Sequence, residues 1–216
     1  MTTRALILSP HEVRAALRGE LGLIVRPVMP QPEYQDDTGR WTYCVSSTDK
    51  TSRDKWTYCV IDPASHHYTE RGRERCVLSL RDPFGVPGTR LVCKETWCQH
   101  WQPDTGYLQE ALYRADGIVF ENQEEDGSPW KAATCMPAWA SRITLVNETV
   151  GVARVQDLTD EDILGCGFAL CLSDDLGVEK MRNAFKKRWD ARYAAKGLGW
   201  DSSPWVWKCE VRRTGG

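Results

Sequence analysis

The sequence predicts a β-rich α+β fold, a small mixed or antiparallel barrel with about three helices packed on it. Two observations carry this. About six to eight short runs alternate apolar and polar residues or are rich in β-branched and aromatic residues. Helical periodicity appears only around Ser9–Gly19, after Thr159 and over Val178–Lys196, with no strand–helix–strand rhythm.

The segment Asp82–Trp97, DPFGVPGTRLVCKETW, organises the rest. Its first half is a turn, with φ fixed by Pro83 and Pro87 and freed by Gly85 and Gly88. Its second half alternates as a strand, placing Leu91, Cys93, Glu95 and Trp97 on one face. That face is apolar except for Glu95, and a buried carboxylate costs several kcal/mol unless it is paired. Glu95 therefore requires a facing cation, donors or a ligand.

In chain order, Ala5–Leu8 is a first strand. Ser9-Pro10-His11-Glu12 opens a helix, with Ser9 as cap, Pro10 at the first helical position and Glu12 completing a capping box; Gly19 ends it. Leu21–Val28 is a strand carrying Arg26, made an edge or ended by Pro27. Met29–Gly39 is a loop. Trp41–Val45 and Trp56–Val60 repeat WTYCV and read as two antiparallel strands joined by a long polar loop, Ser46–Lys55. Ser65–Arg75 reads as an exposed loop, and Cys76–Leu80 as a strand leading into the central turn. After Trp97 periodicity fades until about Met136, with a short hairpin over Tyr107–Phe120 turning at Asp116-Gly117 and an acidic run over Glu121–Gly127. Ile143–Val155 is a long strand. Thr159–Asp162 caps a short helix that runs into Gly165-Cys166-Gly167, and Cys171–Gly177 is a loop. Val178–Lys196 is the strongest helix, with an apolar stripe at Val178, Met181, Phe185 and Trp189, seven basic residues against two acids, and Gly197 as its C-cap. In Trp205–Arg212, Trp205, Trp207, Cys209 and Val211 face in, while Val206, Lys208, Glu210 and Arg212 face out.

At 216 residues the chain fits one domain with insertions or two small ones. A net charge of −2 gives no global signature of nucleic-acid binding. The first residues show no signal-peptide pattern, and no apolar run is long enough to cross a bilayer, so no membrane association is expected. Nine cysteines, an odd number without a CxxC pair, are expected to be reduced in a cytoplasmic protein.

No nucleotide-phosphate loop and no GxSxG occur. Cys93-x4-Cys98-x-His100 and His66-His67 are too loosely spaced for structural zinc, so neither metal nor cofactor is expected. Cys166 follows a short helix at its C-terminal end, where no helix dipole lowers its pKa, and reads as a small buried hydrophobe. Lys180, Lys186, Lys187 and Arg188 offer a basic helix face, which is either a solvated surface or a phosphate grip. Ten tryptophans are unusual; Trp97, Trp139 and Trp200 sit at element ends where they suit a base-stacking platform, whereas Trp205 and Trp207 read as core.

Four blocks in this order resemble a known family. They are the Ser9–Gly19 helix leading to Arg26-Pro27; Phe84-Gly-Val-Pro-Gly88 running to Lys94-Glu-Thr-Trp97; Met136-Pro-x-Trp139-Ala-Ser-Arg142; and Gly199-Trp-Asp-x-x-Pro204-Trp-Val-Trp207. Together they resemble the ASCH-domain proteins of bacteriophages and prophages. The resemblance implies a PUA-like β-pseudobarrel over the single domain 1–216, with insertions at about 34–75 and 98–135. It also implies a cleft that handles RNA or a nucleotide base, lined by Arg26, Glu95, Ser141 and Arg142 and rimmed by Trp97, Trp139 and Trp200. Arg26 or Arg142 is then the partner of Glu95. Some ASCH proteins are amidohydrolases acting on N4-acetylcytidine, using a Lys and a Thr after the first helix and a Glu near the later short helix; another is described as a ribonuclease. Here Leu21 stands at the Lys position, Gly22 and Ile24 at threonine positions and Cys166 at the Glu position. The expectation is an RNA-, nucleotide- or modified-base-binding protein without that hydrolysis, DNA being admitted as partner. The alternatives are an amidohydrolase or ribonuclease using residues such as Glu95 or Cys166, and a phage structural or host-interaction protein.

Overall fold

The structure, a computed structural model, describes residues 2–32, 39–44, 55–62, 64, 66–69, 72–101, 108–118, 130–168 and 175–214. The acidic run Glu121–Gly127 and most of the 46–55 connection lie outside the described residues.

The molecule is mixed and strand-rich. Its main sheet has five strands: β1 (Thr3–Ile7), β2 (Leu23–Pro27), β7 (Arg90–Lys94), β10 (Thr144–Arg154) and β11 (Trp205–Arg213). Their order is β1-β7-β10-β11-β2, with β1 and β7 parallel and the remaining pairs antiparallel. A second, antiparallel sheet has the order β3-β4-β6-β5, formed by β3 (Arg40–Cys44), β4 (Lys55–Ile61), β5 (His67–Thr69) and β6 (Gly72–Leu80). A hairpin of β8 (Trp97–Trp101) and β9 (Leu108–Tyr113) stands apart. The α-helices are α1 (Pro10–Arg18), α2 (Asp160–Gly165) and α3 (Asp175–Tyr193).

The local signals for α1 act as read. Ser9 Oγ accepts from Glu12 N, and Glu12 Oε2 accepts from Ser9 N at 2.7 Å, while Gly19 ends the helix at φ 77°. Thr159 and Asp162 form a second capping box for α2. Gly197, at φ 72°, closes the 3-10 turn that extends α3.

Several expectations are corrected. The strand through Leu91–Trp97 does not run through; β7 ends at Lys94 and the chain re-enters as β8, which pairs with β9 instead. The aperiodic stretch after Trp97 therefore contains a hairpin, and Asp116-Gly117 ends a 3-10 turn after it rather than joining its strands. Within Ser65–Arg75, β5 and the start of β6 replace the expected exposed loop; Glu74 is buried there and pairs with Arg40 at 3.0 Å. Val206, expected on the outer face of the last strand, is fully buried.

The reason for Val206 is that β2 and β11 are covered on both sides, the environment that removes polar alternation from strands. Ile24, Trp207 and Cys209 join α1 and the second sheet in one core, where Trp41 and Trp56 lie against Trp207 at ring centroids of 5.6 and 5.9 Å. Leu23, Val25 and Val206 face the opposite way, onto α2 and the Met181, Phe185, Trp189 and Tyr193 stripe of α3. Among the described residues, no helix is long and apolar enough to cross a membrane.

Candidate functional site

A pocket of about 270 Å³ opens where the first turn of α1, strand β2, the 166–168 segment and α3 meet. Its apolar walls include Phe168, Phe185, Trp189 and Tyr193; its polar groups are Ser9, His11, Glu12, Arg26, Arg188 and Arg192. Local geometry explains several of these positions. The stripe of α3 supplies Phe185, Trp189 and Tyr193 at four-residue intervals, and Arg188 and Arg192 lie one turn apart on the flank of that stripe. Gly167 adopts φ 81° and swings Phe168 over His11, their rings 4.3 Å apart.

Glu12 is the electrostatic centre. It completes the α1 capping box, and its two oxygens also accept from Arg26 Nη1 at 2.6 Å and Nη2 at 3.1 Å. Arg192 Nη1 lies 3.6 Å from the same carboxylate. Burial alone would raise the Glu12 pKa, but the Arg26 charge and hydrogen bonds, the Ser9 N–H and Arg192 outweigh it and hold it at about 2. Arg26 Nη1 also donates to Val25 O and Nη2 to Ile7 O, each at 2.9 Å. Arg26 therefore reaches the pocket already neutralised.

His11 Nε2 lies 3.2 Å from the Cys166 carbonyl, so a neutral ring donates through Nε2 and leaves Nδ1 as an acceptor. Burial and the nearby Arg188 charge lower its pKa, which keeps it neutral at physiological pH. Arg188 has no carboxylate partner among the described residues; its guanidinium lies 5.8 Å from the Phe168 ring. Cys166 lines the pocket, yet burial and the Glu12 charge push its thiol far up, so it provides no thiolate nucleophile.

Of the residues expected to share one cleft, Arg26 alone lines this pocket, beside Cys166 and, from the basic helix, Arg188. Trp200 stands behind it, half-buried, with its ring edge-on to Phe185 at 5.9 Å. Glu95, Trp97, Trp139, Ser141 and Arg142 do not line it. Glu95 has the cation its burial demanded: Arg142 Nε and Nη2 reach its two oxygens at 2.9 and 3.1 Å. Arg142 also holds Asp116 at 2.7 and 2.9 Å and lies 3.9 Å from the Tyr113 ring. Burial raises the Glu95 pKa and Arg142 opposes it. The Ser141 hydroxyl is turned to the backbone, 2.8 Å from Cys93 O and 3.1 Å from Ile143 O. These polar groups tie β7, the 3-10 turn after β9 and the start of β10 together.

Trp97 is buried, with Lys131 Nζ 5.3 Å from its ring and Trp139 edge-on at 5.8 Å; Trp139 is the exposed member, at 57%. The basic face of α3 is also divided. Lys186 is paired with Asp201 at 2.8 Å and Arg182 with Asp160 at 2.6 Å, while Lys180 and Lys187 are exposed. Among the described residues, no three or more His, Cys, Asp and Glu side chains are grouped to hold a metal ion.

Sequence reading missed the convergence of His11, Glu12, Phe168, Arg192 and Tyr193. Glu12 carried only its capping signal, because its pairing with Arg26 depends on how α1 docks against β2. Phe168 carried none. Comparison with known protein families, with characterised proteins and with solved structures finds no match.

Proposed function

We propose that this chain is an ASCH-type, PUA-like domain of phage origin, acting in the host cytoplasm, that takes one nucleotide or modified base into the α1–α3 pocket without hydrolysing it. The single observation that carries the reading is the pairing of aromatic walls with arginines at one pocket: Phe168, Phe185, Trp189 and Tyr193 beside Arg188 and Arg192. Flat rings gain about 1–3 kcal/mol per base by stacking on such side chains. Guanidinium groups complement phosphate oxygens and ring carbonyls. The volume of about 270 Å³ lies below the roughly 300–1,000 Å³ of drug-sized sites, which suits one nucleotide rather than a strand.

The non-hydrolytic part rests on the positions aligned with the family's reacting groups. Leu21 bridges Cys166 across the backbone, and Gly22 N donates to Gly165 O at 2.8 Å, so these segments do meet. Leu21, Ile24 and Cys166 are buried and offer no base, hydroxyl or carboxylate. Glu12, held at about 2, is a carboxylate locked to Arg26 rather than a proton donor.

Calorimetric titration with nucleosides, nucleotides and short RNA tests the reading. Ala191 is an exposed residue at the pocket lining, so Ala191→Phe fills the space without touching the core. Saturable binding that this variant loses is the expected result. Binding that survives in Ala191→Phe, or none with any ligand, refutes the site. Incubation with N4-acetylcytidine is expected to release no acetyl group; release that Ala191→Phe abolishes would make the protein a hydrolase.

A further inference from the structure

We infer that the ligand is a nucleoside monophosphate, whose terminal phosphate is clamped between Arg188 and Arg192 while its base enters the aromatic walls. This rests on the pocket assignment above and adds the chemistry of its charge. Three guanidinium groups line the pocket, Arg26, Arg188 and Arg192, against one carboxylate, Glu12, which leaves two net positive charges. The other ionisable groups there add none: burial and Arg188 keep His11 neutral, and burial raises the pKa values of Cys166 and Tyr193.

The surplus is localised. Arg26 is bound to Glu12 by two hydrogen bonds and to two backbone carbonyls, so four of its five N–H donors are taken and its charge is paired. Arg192 touches Glu12 only at 3.6 Å, and Arg188 has no carboxylate among the described residues. Four residues apart on α3, the two side chains project from the same flank one helical turn apart, a spacing at which both reach one group. Both are exposed, so an anion can reach them, while the Phe168, Phe185, Trp189 and Tyr193 rings beside them are buried.

A phosphate monoester carries about 1.5 to 2 negative charges at pH 7, with its second pKa near 6. That matches the pocket's two net positive charges, whereas an internal phosphodiester brings one negative charge. The restricted volume excludes flanking nucleotides from the same pocket.

The test is calorimetry of the full chain with the ribonucleoside 5′-monophosphates, the parent nucleosides, and a 5′-phosphorylated trinucleotide. The monophosphates are expected to bind about tenfold or more tighter than the nucleosides. That gain should shrink at high salt and below about pH 6, where the monoester loses charge. Arg188→Gln, exposed on a helix surface and checked for unchanged melting temperature, should erase the difference between monophosphate and nucleoside affinity. Nucleosides and monophosphates binding equally would overturn the phosphate clamp and leave the pocket assignment standing. A gain that persists in Arg188→Gln places the phosphate elsewhere and also overturns it. Tighter binding of the trinucleotide overturns the choice of a mononucleotide. No binding of any of these removes both assignments.

Discussion

The Glu12 carboxylate holds the Arg26 guanidinium at 2.6 and 3.1 Å while its Oε2 also accepts from the Ser9 N–H at 2.7 Å. One side chain thus starts α1, fastens it to β2 and neutralises the floor of the pocket.

Removing one member of a buried pair strands the other, at about 3–5 kcal/mol. Both side chains are only 13% exposed. Glu12→Ala is therefore expected to lower the unfolding free energy by about 3 kcal/mol in urea titration, with the lost cap included. Glu12→Leu combined with Arg26→Met should recover part of that loss, since no lone charge stays buried. A single variant as stable as the parent would refute the assignment.

The same pair sets an acid limit. The Glu12 pKa falls from an ordinary 4.5 to about 2 on folding. A depressed carboxylate contributes stability that is complete above the unfolded value and lost as pH falls through the folded one. The window is therefore about pH 4.5 to 2. Glu95 and Asp82, raised first by burial, act in the opposite sense and gain no stability from ionising. Glu12→Gln should flatten the fall in stability across that window, measured by melting temperature against pH; an unchanged slope would show that other carboxylates govern it.

Arg142 bridges Glu95 and Asp116 outside the pocket. Arg142→Met leaves the Glu95 carboxylate, 5% exposed, without its cation, and should cost about 3 kcal/mol. Nucleotide affinity should not change in the variant, measured below its melting temperature. A selective loss of affinity would return Arg142 to the ligand site.

Gly167 stands between Cys166 and Phe168 with φ 81°, and an added Cβ would collide with that of Ala15. Gly167→Ala is expected to destabilise by about 2 kcal/mol through left-handed strain and the clash. It should also weaken nucleotide binding by displacing Phe168. Gly117→Ala, at φ 79° in open space, supplies the control: strain without a neighbour to displace and no effect on binding.

Thiol labelling separates the cysteines. Cys76 and Cys135 are exposed, whereas Cys93, Cys166 and Cys209 are buried with thiols pushed up first by burial. Iodoacetamide at pH 8 followed by mass spectrometry should mark Cys76 and Cys135 within minutes and leave the other three intact. Rapid labelling of Cys166 would contradict its inert character.

The sequence by itself determined the elements whose signals are local. Ser9 and Glu12 start α1, Thr159 and Asp162 start α2, and the Met181–Phe185–Trp189 stripe orients α3, because caps and helical periodicity act over three or four residues. It also determined that Glu95 needs a cation, donors or a ligand facing it, since burial follows from alternation and an unpaired buried charge is too costly to keep. Only the tertiary structure decided what faces it: the cation Arg142, forty-seven residues away, rather than Arg26. It likewise decided that Arg26 belongs to Glu12, that Val206 is buried because α3 covers the second face of β11, and that β8 leaves the main sheet for β9. Pairings of this kind depend on the docking of α1 and α3 against β2, which arises from burying apolar surface over distant segments. No spacing along the chain encodes it, and the pocket of His11, Glu12, Phe168, Arg188 and Arg192 exists only once that burial has taken place.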